Sequence, residues 1–169
     1  MSVTLQVNHG GSTPLPIDED EAASVCQAVL EHEGVTKSCV VSLTLVSDEE
    51  MRELNSEWRG VDSATDVLSF EMDKPDDPEI PADEPCELGD IVLACDYVTR
   101  QAGTFETTPA DETRLLLVHG MLHLLGLDHV EEGEALAMQG LEDDIIASLA
   151  TDGTLGPVTL TRHREEGHA

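Results

Sequence analysis

The chain has 169 residues, 36 of them Asp or Glu and 8 Lys or Arg, for a formal charge of −28. The charged fraction of 26% is ordinary, and Leu, Ile, Val and Phe supply about a quarter of the residues, so this is a core-forming chain rather than a disordered one. The length fits one domain, while the charge argues against polyanionic partners at low salt, and one Trp, one Tyr and two Phe leave few platforms for stacking bases.

Val3, Leu5 and Val7 alternate with polar residues, which predicts a short first strand ended by Gly10, Gly11, Pro14 and Pro16. From Asp18 to Glu33, Ala22, Val25, Ala28 and Val29 recur at helical spacing behind an acidic first turn, and Gly34 stops the run. Val40 to Val46 is β-branched and alternating. Ser47 and Glu50 then form a capping-box pattern that opens a helix ending near Trp58. Val67–Met72 and Leu88–Ala94 read as two further strands, separated by a solvated loop over 71–87 that holds four prolines and eight carboxylates. Tyr97–Gly103 reads as a short helix. Thr108 and Pro109 occupy N-cap and first-turn positions of a helix running to about Leu125, where Gly126 ends it. Glu131–Leu149 reads as a last helix with Leu136, Leu141, Ile145 and Leu149 on one side. Residues 1–150 are thus expected to form a single domain, with 151–169 as a flexible C-terminal tail.

The four cysteines form no C-x-x-C pair, and the start MSVTLQVNHG has neither the basic nor the apolar region of an export signal. Reduced thiols and a cytoplasmic location are the expectation. The most apolar stretch, LLLVHGMLHLLGL, is interrupted by His119 and His123 and is too short to span a bilayer.

His119 and His123 lie four apart on an expected helix, so their rings project from one face about one turn apart, a spacing that suits two ligands of one ion. Gly126 lets the chain turn, and His129 follows, so that three histidines can converge in HGMLHLLGLDH. The pattern matches H-E-x-x-H-x-x-G-x-x-H of the metzincin peptidases at every position but one. In those enzymes the glutamate after the first histidine activates water at the metal. Here that residue is Gly120, which weakens standard peptidase chemistry but leaves metal-assisted displacement open. His9, His32, His163 and His168 have no partner at ligand spacing and read as surface residues.

HGMLHLLGLDH resembles the H-G-x-L-H-L-x-G-x-D-H signature of the YbeY family of bacterial endoribonucleases and rRNA maturation factors. Two other segments agree. Leu54, Asn55, Trp58, Arg59, Asp62 and Thr65–Phe70 resemble the family stretch LN-x-x-[YW]R-x-x-D-x-PTDVLSF, and Leu88–Ile91 matches its LGDI strand. Departures are Ala64 and Glu71 where the family has proline, Val61 where lysine is frequent, and Leu127 where a ring is common; none is a candidate ligand.

The resemblance implies an α+β fold, with a central mixed sheet packed on helices around a metal-binding histidine helix. It further implies one zinc or other divalent transition-metal ion on His119, His123 and His129, and metal-dependent cleavage of single-stranded RNA in 16S rRNA 3′-end maturation and ribosome quality control. A small-subunit ribosomal protein and an assembly GTPase are the implied partners. From the residues alone Arg59 reads as a surface arginine among 36 carboxylates. The resemblance makes it the catalytic candidate, a guanidinium fitted to the extra charge of a phosphoryl transition state. Asp66 reads as a backbone cap before a strand, and Asp128 as a turn residue or an acceptor for a histidine ring. Water and the RNA 2′-hydroxyl remain alternative nucleophiles. A metzincin-like zinc peptidase and a non-catalytic ribosome-assembly factor are the competing functions.

Overall fold

In the computed structural model, which describes residues 3–126, 140–142 and 144–146, four strands and four helices follow one another along the chain. They are β1 (Val3–Asn8), α1 (Glu19–His32), β2 (Cys39–Val46), α2 (Asp48–Arg59), β3 (Val67–Glu71), β4 (Cys86–Ala94), α3 (Cys95–Thr104) and α4 (Pro109–Leu124). The sheet order is β1-β2-β4-β3, with β1, β2 and β4 parallel and β3 antiparallel to β4. This is a mixed sheet in an α+β fold. Strand β1, at one edge, shows the expected alternation of buried and open positions, whereas inner β4 is buried on both faces over Ile91–Ala94, where its sequence is correspondingly apolar.

Helices α1, α2 and α4 start where a side chain satisfies one of their first free N–H groups. Asp18 Oδ1 accepts from the Glu21 N–H at 2.7 Å, Ser47 and Glu50 form a complete capping box, and Thr108 Oγ1 accepts from the Asp111 N–H at 3.0 Å with Pro109 in the first turn. Gly60, at φ 70°, ends α2 in the left-handed conformation.

Strand β4 begins at Cys86, two residues earlier than its sequence suggests. The Cys86 N–H donates to the Ser38 carbonyl at 2.9 Å and the residue pairs with Cys39, so a mate across the sheet extends the strand into the acidic loop. A bulge follows, since Val40 pairs with Glu87 but Val41 with Gly89. Gly89 sits at φ 145°, and a Cβ there would lie 2.1 Å from the Phe70 carbonyl oxygen, so no other residue fits. Helix α3 likewise begins at Cys95, directly off β4.

Helices cover both faces of the sheet. On one face α1 and α4 pack on Val41, Leu43, Leu45, Ile91 and Leu93; on the other, Met51 of α2 packs on Leu68, Val92 and Ala94. Leu115, Leu116, Leu117, Met121 and Leu122 of α4 are fully buried, each worth about 1.5–3 kcal/mol of transfer free energy. Arg114, with its side chain 12% exposed, ties α4 to α1 through Glu21 at 2.8 Å and closes back on Asp111 at 2.7 Å. At the other end Lys74 Nζ donates to the Leu124 carbonyl at 3.4 Å. Residues 140–142 and 144–146 are helical, and Ile145 and Ile146 belong to the α1/α4 side of the core. The rest of the expected last helix, the tail at 151–169, and His163 and His168 lie outside the described residues. No helix among the described residues is long and apolar enough to cross a membrane.

Candidate metal centre

Because α4 is apolar on most of its circumference, it is an interior helix, and any polar side chain on it is held at low exposure. The helix advances about 100° per residue. Gly120 faces the sheet, where a Cβ would lie 3.1 Å from Ile91 Cδ1 and 3.2 Å from Ser69 Oγ. Arg114, about 120° to one side, reaches α1. His119 and His123 fall about 100° and 60° to the other side, the flank that faces the edge strand β3.

On that flank the two rings meet edge to face, with centroids 4.6 Å apart and planes at 74°, and His119 Nε2 stands 3.1 Å from His123 Nε2. The far side of the His119 ring is fixed by Glu142, whose Oε2 lies 2.6 Å from His119 Nδ1. With Glu142 as the acceptor in this contact, Nδ1 carries the ring proton and Nε2 presents its lone pair towards His123. Glu142 is fully buried, and the His119 side chain is 9% exposed. Sequence reading missed Glu142. It is 23 residues from its partner, and one Glu among 36 acidic residues carries no local signal.

These atoms suit a metal ion. Two nitrogens bound to one tetrahedral zinc at 2.0–2.1 Å stand about 3.3 Å apart, close to the observed 3.1 Å. A second carboxylate-anchored nitrogen on the same ring is the usual companion of a histidine ligand. His129 and Asp128 lie outside the described residues, and among the described ones no group of three ligand-type side chains converges.

The same edge carries a second polar cluster, about 10 Å up α4 from His119. Gln101 Nε2 donates to Asp66 Oδ2 at 3.0 Å and to Glu112 Oε2 at 3.3 Å, joining the start of β3 to α3 and α4. Asp66 is also the backbone cap expected of it, since its Oδ1 accepts the Val67 N–H at 2.8 Å.

Arg59 is exposed at the last residue of α2, on the opposite face of the sheet from α4. Next to it, Trp58 packs edge-on against Phe70 of β3 with ring centroids 5.6 Å apart. The chain from Gly60 then bends round to Asp66. Asn55 Nδ2 holds it at the Ser63 carbonyl at 2.8 Å, and Arg52 holds it at Asp62 at 2.7 Å. The fold therefore brings His119 and His123 together, while Arg59 ends the helix that covers the opposite face of the sheet. His9 is 63% exposed beside Glu19, and His32 lies 2.8 Å from Glu33, both away from α4 as expected.

Comparison with known proteins identifies the family. The family model described as Endoribonuclease YbeY matches residues 12–150. Over 138 residues the chain is 41% identical to an endoribonuclease YbeY of Salinispora tropica, covering 78% of this chain and 88% of the relative. Over 143 residues it is 43% identical to that of Allorhizobium ampelinum, covering 78% and 83%. Over 151 residues it is 39% identical to that of Chloroflexus aurantiacus, covering 88% and 95%. A solution structure of a Thermotoga maritima protein, 22% identical, superposes with a TM-score of 0.52 over 93% of this chain and all of that one, which supports the fold. The chain belongs to the endoribonuclease YbeY family.

Proposed function

We propose that the protein is a metal-dependent, single-strand-specific endoribonuclease acting in 16S rRNA 3′-end maturation and ribosome quality control. His119, His123 and His129 hold one zinc or similar divalent ion. The observation that carries the reading is the opposed Nε2 pair at 3.1 Å on a helix whose first histidine is anchored through Nδ1. When bound, the ion polarises a phosphoryl oxygen and acidifies water. His119 and His123 already hold their Nε2 atoms at the separation two ligands of one ion require, and binding displaces the proton shared between them. Arg59, permanently charged and forked, binds phosphate oxygens and stabilises the charge that develops on the transferring phosphoryl group. It reaches the substrate as the strand passes over the β3 edge.

The substrate is single-stranded RNA, met in the cytoplasm on the small ribosomal subunit, with a small-subunit ribosomal protein and an assembly GTPase as partners. The peptidase reading is disfavoured because Gly120 carries no carboxylate where the peptidases need one, and a Cβ there would already press on Ile91 Cδ1 at 3.1 Å and Ser69 Oγ at 3.2 Å.

The test combines metal analysis with cleavage of a single-stranded RNA. The protein as purified should carry about one transition-metal ion per chain, and His123→Ala should lose it. Arg59→Ala should keep metal and fold while cleavage falls at least about 100-fold, and Arg59→Lys should restore little because the fork is gone. Full metal content in His123→Ala overturns the ligand assignment; undiminished cleavage in Arg59→Ala returns that residue to the surface. Ribosome association that persists in a metal-loaded, cleavage-dead variant would show an assembly role beside the catalytic one.

A further inference from the structure

Glu142 is a carboxylate with no exposed surface, a placement that costs several kcal/mol unless the group is used. Its surroundings hold it in one position. Ile145 and Ile146, three and four residues on, are buried in the core with α4, so apolar contacts dock this part of the chain and present Glu142 at a fixed height against His119. The contact is short, 2.6 Å, and lies on the ring nitrogen facing away from His123.

We infer that Glu142 is the positioning residue of the metal centre: by taking the Nδ1 proton of His119 in a buried hydrogen bond it holds that ring in the one tautomer, and the one orientation, whose Nε2 can bind an ion. This rests on the proposed metal site and deepens it. A free neutral imidazole divides between two tautomers and turns about two side-chain bonds. Only the form with the proton on Nδ1 leaves Nε2 as a donor. The carboxylate selects that form before any ion arrives. It also adds electron density to the ring, so ion binding and the Glu142 hydrogen bond strengthen one another. Because the two groups come from α4 and from the chain around Glu142, the ion and the docking of Ile145 and Ile146 are coupled through one hydrogen bond.

The full-length protein tests this through two variants. Glu142→Gln keeps an acceptor oxygen and loses the charge, whereas Glu142→Leu loses both. Zn2+ affinity, measured by competition with a chromophoric chelator, should fall about 10-fold in Glu142→Gln and approach 100-fold in Glu142→Leu, the span found for outer partners of ligand histidines. Nitrogen-15 NMR of the metal-free protein at about pH 8 should show His119 protonated at Nδ1 in the wild type and in Glu142→Gln, and as a mixture in Glu142→Leu. A residue that merely packs would change the melting temperature and leave both the tautomer and the chelator competition unmoved. Equal Zn2+ affinity in all three proteins, or an Nε2-protonated His119 in the wild type, overturns the inference. Should the wild type bind no Zn2+, the metal reading fails, and the tautomer measurement still decides what Glu142 does.

Discussion

Gly120 occupies the position at which a metzincin carries its catalytic glutamate, and the structure makes Gly120→Glu a quantitative test of why this chain lacks one. A Cβ added at residue 120 would stand 3.1 and 3.3 Å from two Ile91 carbons and 3.2 Å from Ser69 Oγ, inside the contact between α4 and the β3–β4 pair. For Gly120→Ala the strain is a few tenths of an ångström against the movable ends of Ile91 and Ser69. It costs about 1 kcal/mol, offset by about 1 kcal/mol of improved helix propensity. The melting temperature should move by less than about 4 °C, since 1 kcal/mol corresponds to about 2–4 °C at this size. Gly120→Glu adds four more heavy atoms beyond Cβ in the same gap. Overpacking costs about 1–3 kcal/mol, and desolvating an acid with no matched partner costs about 1–3 kcal/mol more. A total near 4 kcal/mol lowers the melting temperature by about 8–16 °C. Differential scanning calorimetry of the three proteins reads this, and a casein assay of the metal-loaded forms reads the chemistry. If Gly120→Glu melts with the wild type, α4 does not lie on the sheet as described. If it also cleaves casein, the site is a peptidase scaffold one residue short.

Charge sets a second expectation. Among the described residues Arg52, Arg100, Arg114 and Lys74 already pair with carboxylates, so the scarce cations leave the overall charge of −28 largely unrelieved. Screening to a Debye length of about 3 Å at molar KCl should raise both the melting temperature and RNA cleavage, the behaviour of a protein from a salt-rich cytoplasm; a steady fall of both over that range refutes it. Burial pushes the Asp90 carboxyl above its ordinary value, although the Thr44 hydroxyl donates to it at 3.0 Å. The folded pKa then exceeds the unfolded one, so the penalty is absent below the unfolded value and grows as pH rises through the folded one. Asp90→Asn, which keeps the acceptor for Thr44, should therefore raise the melting temperature at pH 7 and leave it unchanged near pH 3, and a loss at pH 7 would contradict the sign. Burial also pushes the Cys26 thiol up to about 12 and those of Cys86 and Cys95 to about 11, with Cys39 raised as well. An aromatic disulfide reagent at pH 8 should find no reactive thiol in the native chain and four after denaturation, whereas labelling in the native state would show that these positions open.

Local chemistry is legible in this chain wherever one segment contains the whole cause. Ser47 with Glu50 and Thr108 with Pro109 start helices by hydrogen bonds and backbone angles reaching no further than four residues, and each lies where its sequence puts it. The pairing of His119 with His123 is of the same kind, because a four-residue spacing on a helix places two rings together whatever surrounds them. Other features depend on chain segments that sequence leaves far apart. Cys86 starts β4 two residues early because Ser38 and Cys39 supply its mates, and Gly120 is small because Ile91 and Ser69 stand opposite it. Arg59 reads from its own segment only as a surface arginine, and that α2 covers the face of the sheet opposite α4 is a consequence of which faces of β2 and β4 bury which helices. Glu142 is the clearest instance. Nothing within its own turn of helix distinguishes it from the other acids, and only the packing of Ile145 and Ile146 against the core brings its carboxylate to the ring of His119. Helix periodicity and capping are written into short stretches of sequence, whereas the partner of a buried polar atom is chosen by the tertiary fold, because desolvation penalises every arrangement that leaves it unmatched.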